Sequence, residues 1–148
     1  MTYRHDHEFS ISPQQLWDVI GEFDQFEAWW PWLEEFRLEG ESLETGTVLH
    51  GVIAPPVPYR MRIQIELTKC EPAQRIEALI HGDLEGEASV QLGTRAIGSS
   101  VEVAWTVEMM QRPMRMADRI AHPFLRWGHD RVVELTLAGF RQRLGSLD

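Results

Sequence analysis

Between residues 59 and 109 the chain alternates apolar and polar side chains in row after row, and each row has a dry face that something must cover. Tyr59, Met61, Ile63, Ile65 and Leu67 alternate with Arg60, Arg62, Gln64, Glu66 and Thr68. After a turn at Glu71-Pro72 come Ile76, Ala78 and Ile80. After Gly82-Asp83, the residues Leu84, Gly86, Ala88, Val90 and Leu92 stand opposite Glu85, Glu87, Ser89 and Gln91. Residues 93–100 read as a long hairpin loop, and then Val101, Val103, Trp105, Val107 and Met109 alternate with Glu102, Ala104, Thr106 and Glu108. A period of two marks strands with one dry face. A one-residue slip would bury Glu85, Glu87, Glu102 and Glu108 together, so the register is strongly specified. The cover these rows require is supplied by residues 112–144, the longest helical stretch in the chain.

Read at 100° per residue, that stretch puts Arg112, Arg115, Arg119, Arg126, Asp130, Glu134 and Arg141 on a water face. The opposite stripe is Met114, Ala117, Ala121, Leu125, Gly128, Val132, Leu135 and Gly139, half of it small residues. Small residues suit close helix packing and also suit a lid over a cavity. Pro123 removes the backbone bond to Arg119 and crowds its carbonyl, so a kink or break is expected near residues 119–123. Beyond it Val133, Leu137, Phe140 and Leu144 repeat at helical spacing on a different stripe.

At the start, Tyr3, His5, His7, Phe9 and Ile11 alternate with Arg4, Asp6, Glu8 and Ser10 as a half-buried strand. Ser12-Pro13 supplies an N-cap and a proline at the first helical position, and Gly21 stops that helix. A second short helix, residues 24–30, runs into Pro31. Trp29, Trp30 and Trp32 place three indoles within four residues, either as a packing plug or as part of an aromatic entrance. Strands are expected at residues 36–40 and 47–53, and the proline-rich residues 54–58 form a stiff loop. The whole is one domain, residues 1–148, with no internal repeat or linker.

A chain of 148 residues with 43% hydrophobic content can bury a core without disulfide or metal. The one cysteine, Cys70, has no partner for an internal disulfide. No run approaches the roughly 20 apolar residues of a membrane span, and no apolar targeting segment opens the sequence, so a cytoplasmic protein is expected. Net charge is −9, which argues against a nucleic-acid partner. Seven Arg against three acids give residues 112–144 a charge of +4, which leaves −13 on the remainder. A solvated helix face over an acidic sheet accounts for this, and an anion-binding patch is the alternative.

The order strand, two short helices, six meandering strands and long helix resembles the helix-grip fold of the START-like, Bet v 1-like (SRPBCC) superfamily, in particular its polyketide cyclase/dehydrase-like branch. The resemblance rests on residues 9–20, similar to a strand-Pro-x-x-x-Trp opening; on residues 29–32, similar to a Trp-x-Pro segment; and on Gly93-Thr94 leading into the last strand. It implies an α+β fold, a curved seven-stranded antiparallel sheet wrapped around the long C-terminal helix, with two short helices between the first two strands. It also implies an apolar cavity, since members bind lipids, hormones, polyketides or quinones and only some are enzymes. Fold alone does not choose among them.

If the apolar rows face the helix, the ligand-binding candidates are Phe9, Tyr59, Met61, Ile63, Gly86, Ala88, Val103 and Trp105, with Ala121, Phe124, Leu125 and Gly128 on the lid. No Asp or Glu appears in those rows. An aldol cyclisation or dehydration needs a base and a group to hold the oxyanion, and the inward candidates are His5, His7 and Tyr59. His50 joins them if Val48, His50 and Val52 face inward. His5 and His7 fall about 7 Å apart on one side of a strand, as an acid/base pair, as two metal ligands, or as wet residues on a frayed strand. A third metal ligand at suitable spacing is missing, and His81, His122 and His129 read as solvent-facing or at helix edges. There is no phosphate loop, nucleophile elbow, His-Glu-x-x-His or Cys pair, so neither cofactor nor metal is expected. Two readings stand: carriage of a hydrophobic small molecule (lipid, polyketide or quinone-like), and a polyketide cyclase, aromatase or dehydratase using His5, His7 or Tyr59. The lack of inward carboxylates favours the first.

Overall fold

The computed structural model describes residues 2–54, 60–109 and 112–145, with Met109 and residues 112–128 described as backbone alone. Its elements are β1 (Thr2–Phe9), α1 (Pro13–Ile20), a 3-10 turn (Phe23–Gln25), α2 (Phe26–Trp29), β2 (Leu33–Glu39), β3 (Val48–Ile53), β4 (Met61–Glu71), β5 (Arg75–Gly82), β6 (Leu84–Thr94), β7 (Ser99–Met109) and α3 (Arg112–Gly145). The seven strands form one antiparallel sheet in the order β1-β7-β6-β5-β4-β3-β2. Since β1 and β2 are its two edges, the chain between them must cross the full width of the sheet. It does so through α1 and α2, and α1 packs on β6 and β7. This is the expected α+β arrangement of a sheet, two short helices and one long helix.

The register carries the apolar rows across the sheet. Tyr3 pairs with Trp105, Trp105 with Ala88, Ala88 with Ala78, and Ala78 with Leu67. One step along, His5, Val103, Val90 and Ile76 form the next row. Paired residues share a face, so the acids that alternate with these rows lie outside. Glu87 and Glu108 are exposed, Glu102 pairs with Arg4 at 2.6 Å, and Glu85 with His81 at 3.2 Å.

The same logic removes His50 from the inward set. Inward Ile63 and Ile65 pair with Gly51 and Leu49, whereas His50 pairs with Gln64 and Arg37 on the outer row. There its Nε2 lies 3.0 Å from Glu39. Three boundaries also differ from expectation. β2 begins at Leu33, because a bulge between Glu34 and Arg37, with Glu35 at φ 50°, interrupts the alternation that would have announced it. The β6–β7 hairpin closes through Gly93–Ser100 and Thr94–Ser99 pairs, and only residues 95–98 remain as the turn. No break occurs at Pro123, since α3 runs without interruption; helical turns on both sides hold the register across one lost bond.

Local signals fixed α1 as read. Ser12 accepts from the Gln15 backbone while the Gln15 side chain reaches the Ser12 N–H at 3.1 Å, a capping box with Pro13 at the first turn. Leu16, Trp17 and Val19 are buried. Full burial of Leu16 contributes about 2 kcal/mol.

The core falls into two clusters. One gathers Phe9, Leu16, Trp17, Leu67, Ile76, Leu92, Val101 and Leu144 under α1 and the end of α3. The other gathers Met61, Ile63, Ile80, Leu84 and Val107 at the far end of the sheet. On its flank α3 meets α2: a Cβ on Gly139 would run into the Trp29 carbonyl, and the Trp30 indole N–H donates to the Thr136 carbonyl at 3.0 Å. Close packing therefore explains Gly139. Gly139→Ala is expected to cost about 1–3 kcal/mol in urea denaturation, while Ala138→Ser, on the exposed side, stays within about 0.5 kcal/mol. Equal small effects would contradict this contact.

Candidate functional site

The concave sheet face is sealed at both ends and open in its middle. On β6, Leu84 and Leu92 are buried while Gly86, Ala88 and Val90 between them keep accessible surface; on β7, Val107 and Val101 are buried while Trp105 and Val103 keep it. β4 repeats the pattern, with Ile65 open between Ile63 and Leu67. Ile65, Val90 and Val103 pack against one core cluster and Ile65, Ala88 and Trp105 against the other, so these inward side chains are the partly covered part of the face.

The expected ligand-binding residues divide accordingly. Ala88, Val103 and Trp105 are partly exposed in the middle of the inward face, while Phe9, Met61 and Ile63 are buried at its ends. Phe9 packs edge-on against Phe140 at 5.6 Å. Gly86 needs a correction, because a Cβ there would run into the Thr106 carbonyl of β7. Its lack of a side chain serves the approach of two strands, not room for a ligand. Tyr59 lies outside the described residues, as do the side chains of Ala121, Phe124, Leu125, Gly128 and His122.

The polar members of the inward face form a line along β1. Tyr3 stacks on Trp105 with centroids 4.3 Å apart, and its hydroxyl lies 3.3 Å from His7 Nε2. His5 stacks on His7 at 4.9 Å, so the structure does bring the two sequence candidates together. Burial raises the Tyr3 pKa, which keeps the phenol protonated at neutral pH. The His7 pKa is lowered, chiefly by burial and then by His5 and Arg141, with Asp6 acting in the opposite sense. His7 is therefore neutral at pH 7 and able to accept a proton.

His129 is a member of this site that sequence reasoning missed. The Trp105 indole N–H donates to its Nε2 at 3.1 Å, and Asp130 lies 3.3 Å from its Nδ1. An indole nitrogen can only donate, so Nε2 accepts and the ring proton sits on Nδ1, facing the carboxylate. Helical position alone placed His129 at an edge; its partner on β7 has no local signal. Cys70 stays a thiol, its pKa raised by burial and by Glu44.

On its other flank α3 borders an open pocket of about 710 Å3, bounded by Pro31, Trp32 and Ala54 on one side and by Asp130, Arg131, Glu134 and Leu135 on the other. The three indoles thus divide between the two readings. Trp29 and Trp30 plug the α2–α3 contact, with Trp29 packed on Phe140 at 6.2 Å, while Trp32 lines this pocket. None of the described residues among the ligand candidates does.

The sequence profile of the family described as polyketide cyclase / dehydrase and lipid transport matches residues 2–145. No curated protein matches the sequence. Among solved structures, TTHA0849 of Thermus thermophilus is similar with a TM-score of 0.78 at 14% identity, covering 100% of this chain and 99% of that one. Ara h 8.0201 follows at 0.65 and 13%, covering 98% of each chain. A Polyketide_cyc-like protein, Cgl2372 of Corynebacterium glutamicum, gives 0.55 and 14%, covering 99% and 93%. At these identities the likeness establishes the fold. Among the described residues, no helix is long and apolar enough to cross a membrane.

The lowered pKa of His7 has a consequence for stability. The unfolded chain, with a histidine near the ordinary value of about 6.5, takes up a proton before the folded one does. Stability from this residue is therefore complete above that pH and is lost as pH falls toward the folded value. Urea midpoints measured from pH 7.5 to 5 should fall more steeply for the native protein than for His7→Gln. Parallel curves would show that the folded environment does not oppose the charge.

Proposed function

The chain belongs to the polyketide cyclase / dehydrase and lipid transport family, and we propose that it binds a hydrophobic small molecule between the concave sheet face and α3. The observation that carries this reading is the open middle of the inward rows, where Ile65, Ala88, Val90, Val103 and Trp105 remain reachable between buried ends. A ligand there covers apolar surface worth about 25 cal/mol per Å2, and the Tyr3, His7 and Trp105 side chains orient it from one edge.

A cyclase or dehydratase draws on one further observation, the neutral His7 beside the Tyr3 hydroxyl. A neutral imidazole can take a proton from a carbon next to a carbonyl, and a phenol can donate to the oxygen that becomes charged. With a ligand recovered from the protein by native mass spectrometry, His7→Gln and Tyr3→Phe separate the readings. Turnover lost by about 100-fold with binding retained establishes the enzyme; a ligand recovered unchanged on incubation leaves carriage.

The binding reading itself is tested with the neutral fluorophore N-phenyl-1-naphthylamine, whose emission rises in apolar surroundings. The native protein should bind it in one saturable site. Ala88→Leu should weaken binding about tenfold while the fold survives, since a void accepts the added bulk; in a filled interior the same change instead costs about 1–3 kcal/mol of stability. Leu135→Arg, in the lateral pocket, should leave probe affinity within about twofold. The reverse pattern would move the ligand to that pocket, and no saturable binding would end this reading.

A further inference from the structure

In a chain of net charge −9, the edge where β1 meets the last turns of α3 brings one guanidinium beside two imidazoles. His5 and His7 stack there on the inward row. The Arg141 guanidinium lies over the Phe9 ring, 4.8 Å from its centroid, near enough that it and His5 both oppose a proton on His7. Sequence periodicity put Arg141 on the water face of α3, and it is exposed, but it leans to the β1 side of that face.

The acids around this edge are turned away or taken. Asp6 and Glu8 belong to the outward row of β1, and Glu8 lies 3.3 Å from Arg95. On α3, Asp130 is beside His129 and Glu134 holds Arg131 at 2.9 Å, while Glu22 holds Arg143 at 2.7 Å. Among the described residues Arg141 has no carboxylate; its charge sits on an aromatic face, worth about 0.5–1 kcal/mol at an exposed site. That leaves its fork of N–H donors available. The His5 ring lies beside it with its Nδ1 donating to the Asp6 carbonyl at 2.8 Å, which leaves Nε2 facing away from that bond.

We infer that this edge is a head-group site, and that the bound molecule is amphipathic: a carboxylate held by the Arg141 guanidinium beside His5, and an apolar body lying inward over Val103, Val90 and Ala88. A carboxylate fits one guanidinium fork in charge and in number of donors. The register supplies the path for the body, since His5, Val103 and Val90 form one row across the sheet and Ala88 lies in the next. This inference rests on the binding reading above.

Displacement of N-phenyl-1-naphthylamine by dodecanoic acid and by 1-dodecanol, at pH 7.5, tests it, because the two competitors share a tail and differ in the head. The acid should bind about tenfold or more tighter than the alcohol. Arg141→Gln should bring the two within about twofold of each other, and Arg141→Lys should restore part of the preference, whereas Arg95→Gln, on the outer side, should keep it whole. Equal affinities for acid and alcohol in the native protein, or equal loss of both in Arg141→Gln, would overturn the head-group site while apolar binding stands. Failure of both competitors, with no saturable probe binding, would overturn the binding reading as well.

Discussion

The seating of α3 decides what the rest of this molecule can be. Seven strands with one dry face are unstable without cover, and α3 supplies it from three fixed points. On one flank Gly139 lets the helix touch the Trp29 carbonyl, and the Trp30 indole N–H holds the Thr136 carbonyl. On the other flank Trp105 bonds His129, and Phe140 meets Phe9. At its end Arg143 pairs with Glu22 at 2.7 Å, tying α3 to the segment after α1. That pair is partly screened and contributes on the order of 1 kcal/mol.

The middle of the inward face is set by the register as much as by the helix. Ala88 pairs with Ala78 on one side and Trp105 on the other, so small residues occupy the middle of the row that a larger pair would fill. The two core clusters sit to either side of that middle.

Periodicity made the sheet legible, because a two-residue period with Glu on the alternate positions admits one register. It failed where the backbone leaves the period: the bulge between Glu34 and Arg37 hid the start of β2, and nothing local told His50 which way to face. Composition misled at Gly86, since a missing side chain looks the same whether it makes room for a ligand or for a neighbouring strand. The candidate site was half legible. His5 and His7 announce themselves by spacing on β1, but their partners are set by tertiary contact. The Trp105 bond to His129 joins residues 24 apart in sequence, and Arg141 meets Phe9 across nearly the whole chain.

The polar line along β1 interrupts the apolar rows of the sheet, and its pairing is uneven. Tyr3 and His7 satisfy each other, and Trp105 satisfies His129. Such pairs offset the cost of removing polar groups from water, which without partners runs to several kcal/mol. His5 and Arg141 are not satisfied in the same way: one spends a single nitrogen on a backbone carbonyl, and the other rests on a ring. Both stay exposed, so water meets their needs until something displaces it. A molecule entering from that edge thus meets fixed, already paired groups inward and two donors with spare capacity outward. That gradient matches the proposed amphipathic ligand, whose polar end lies outward.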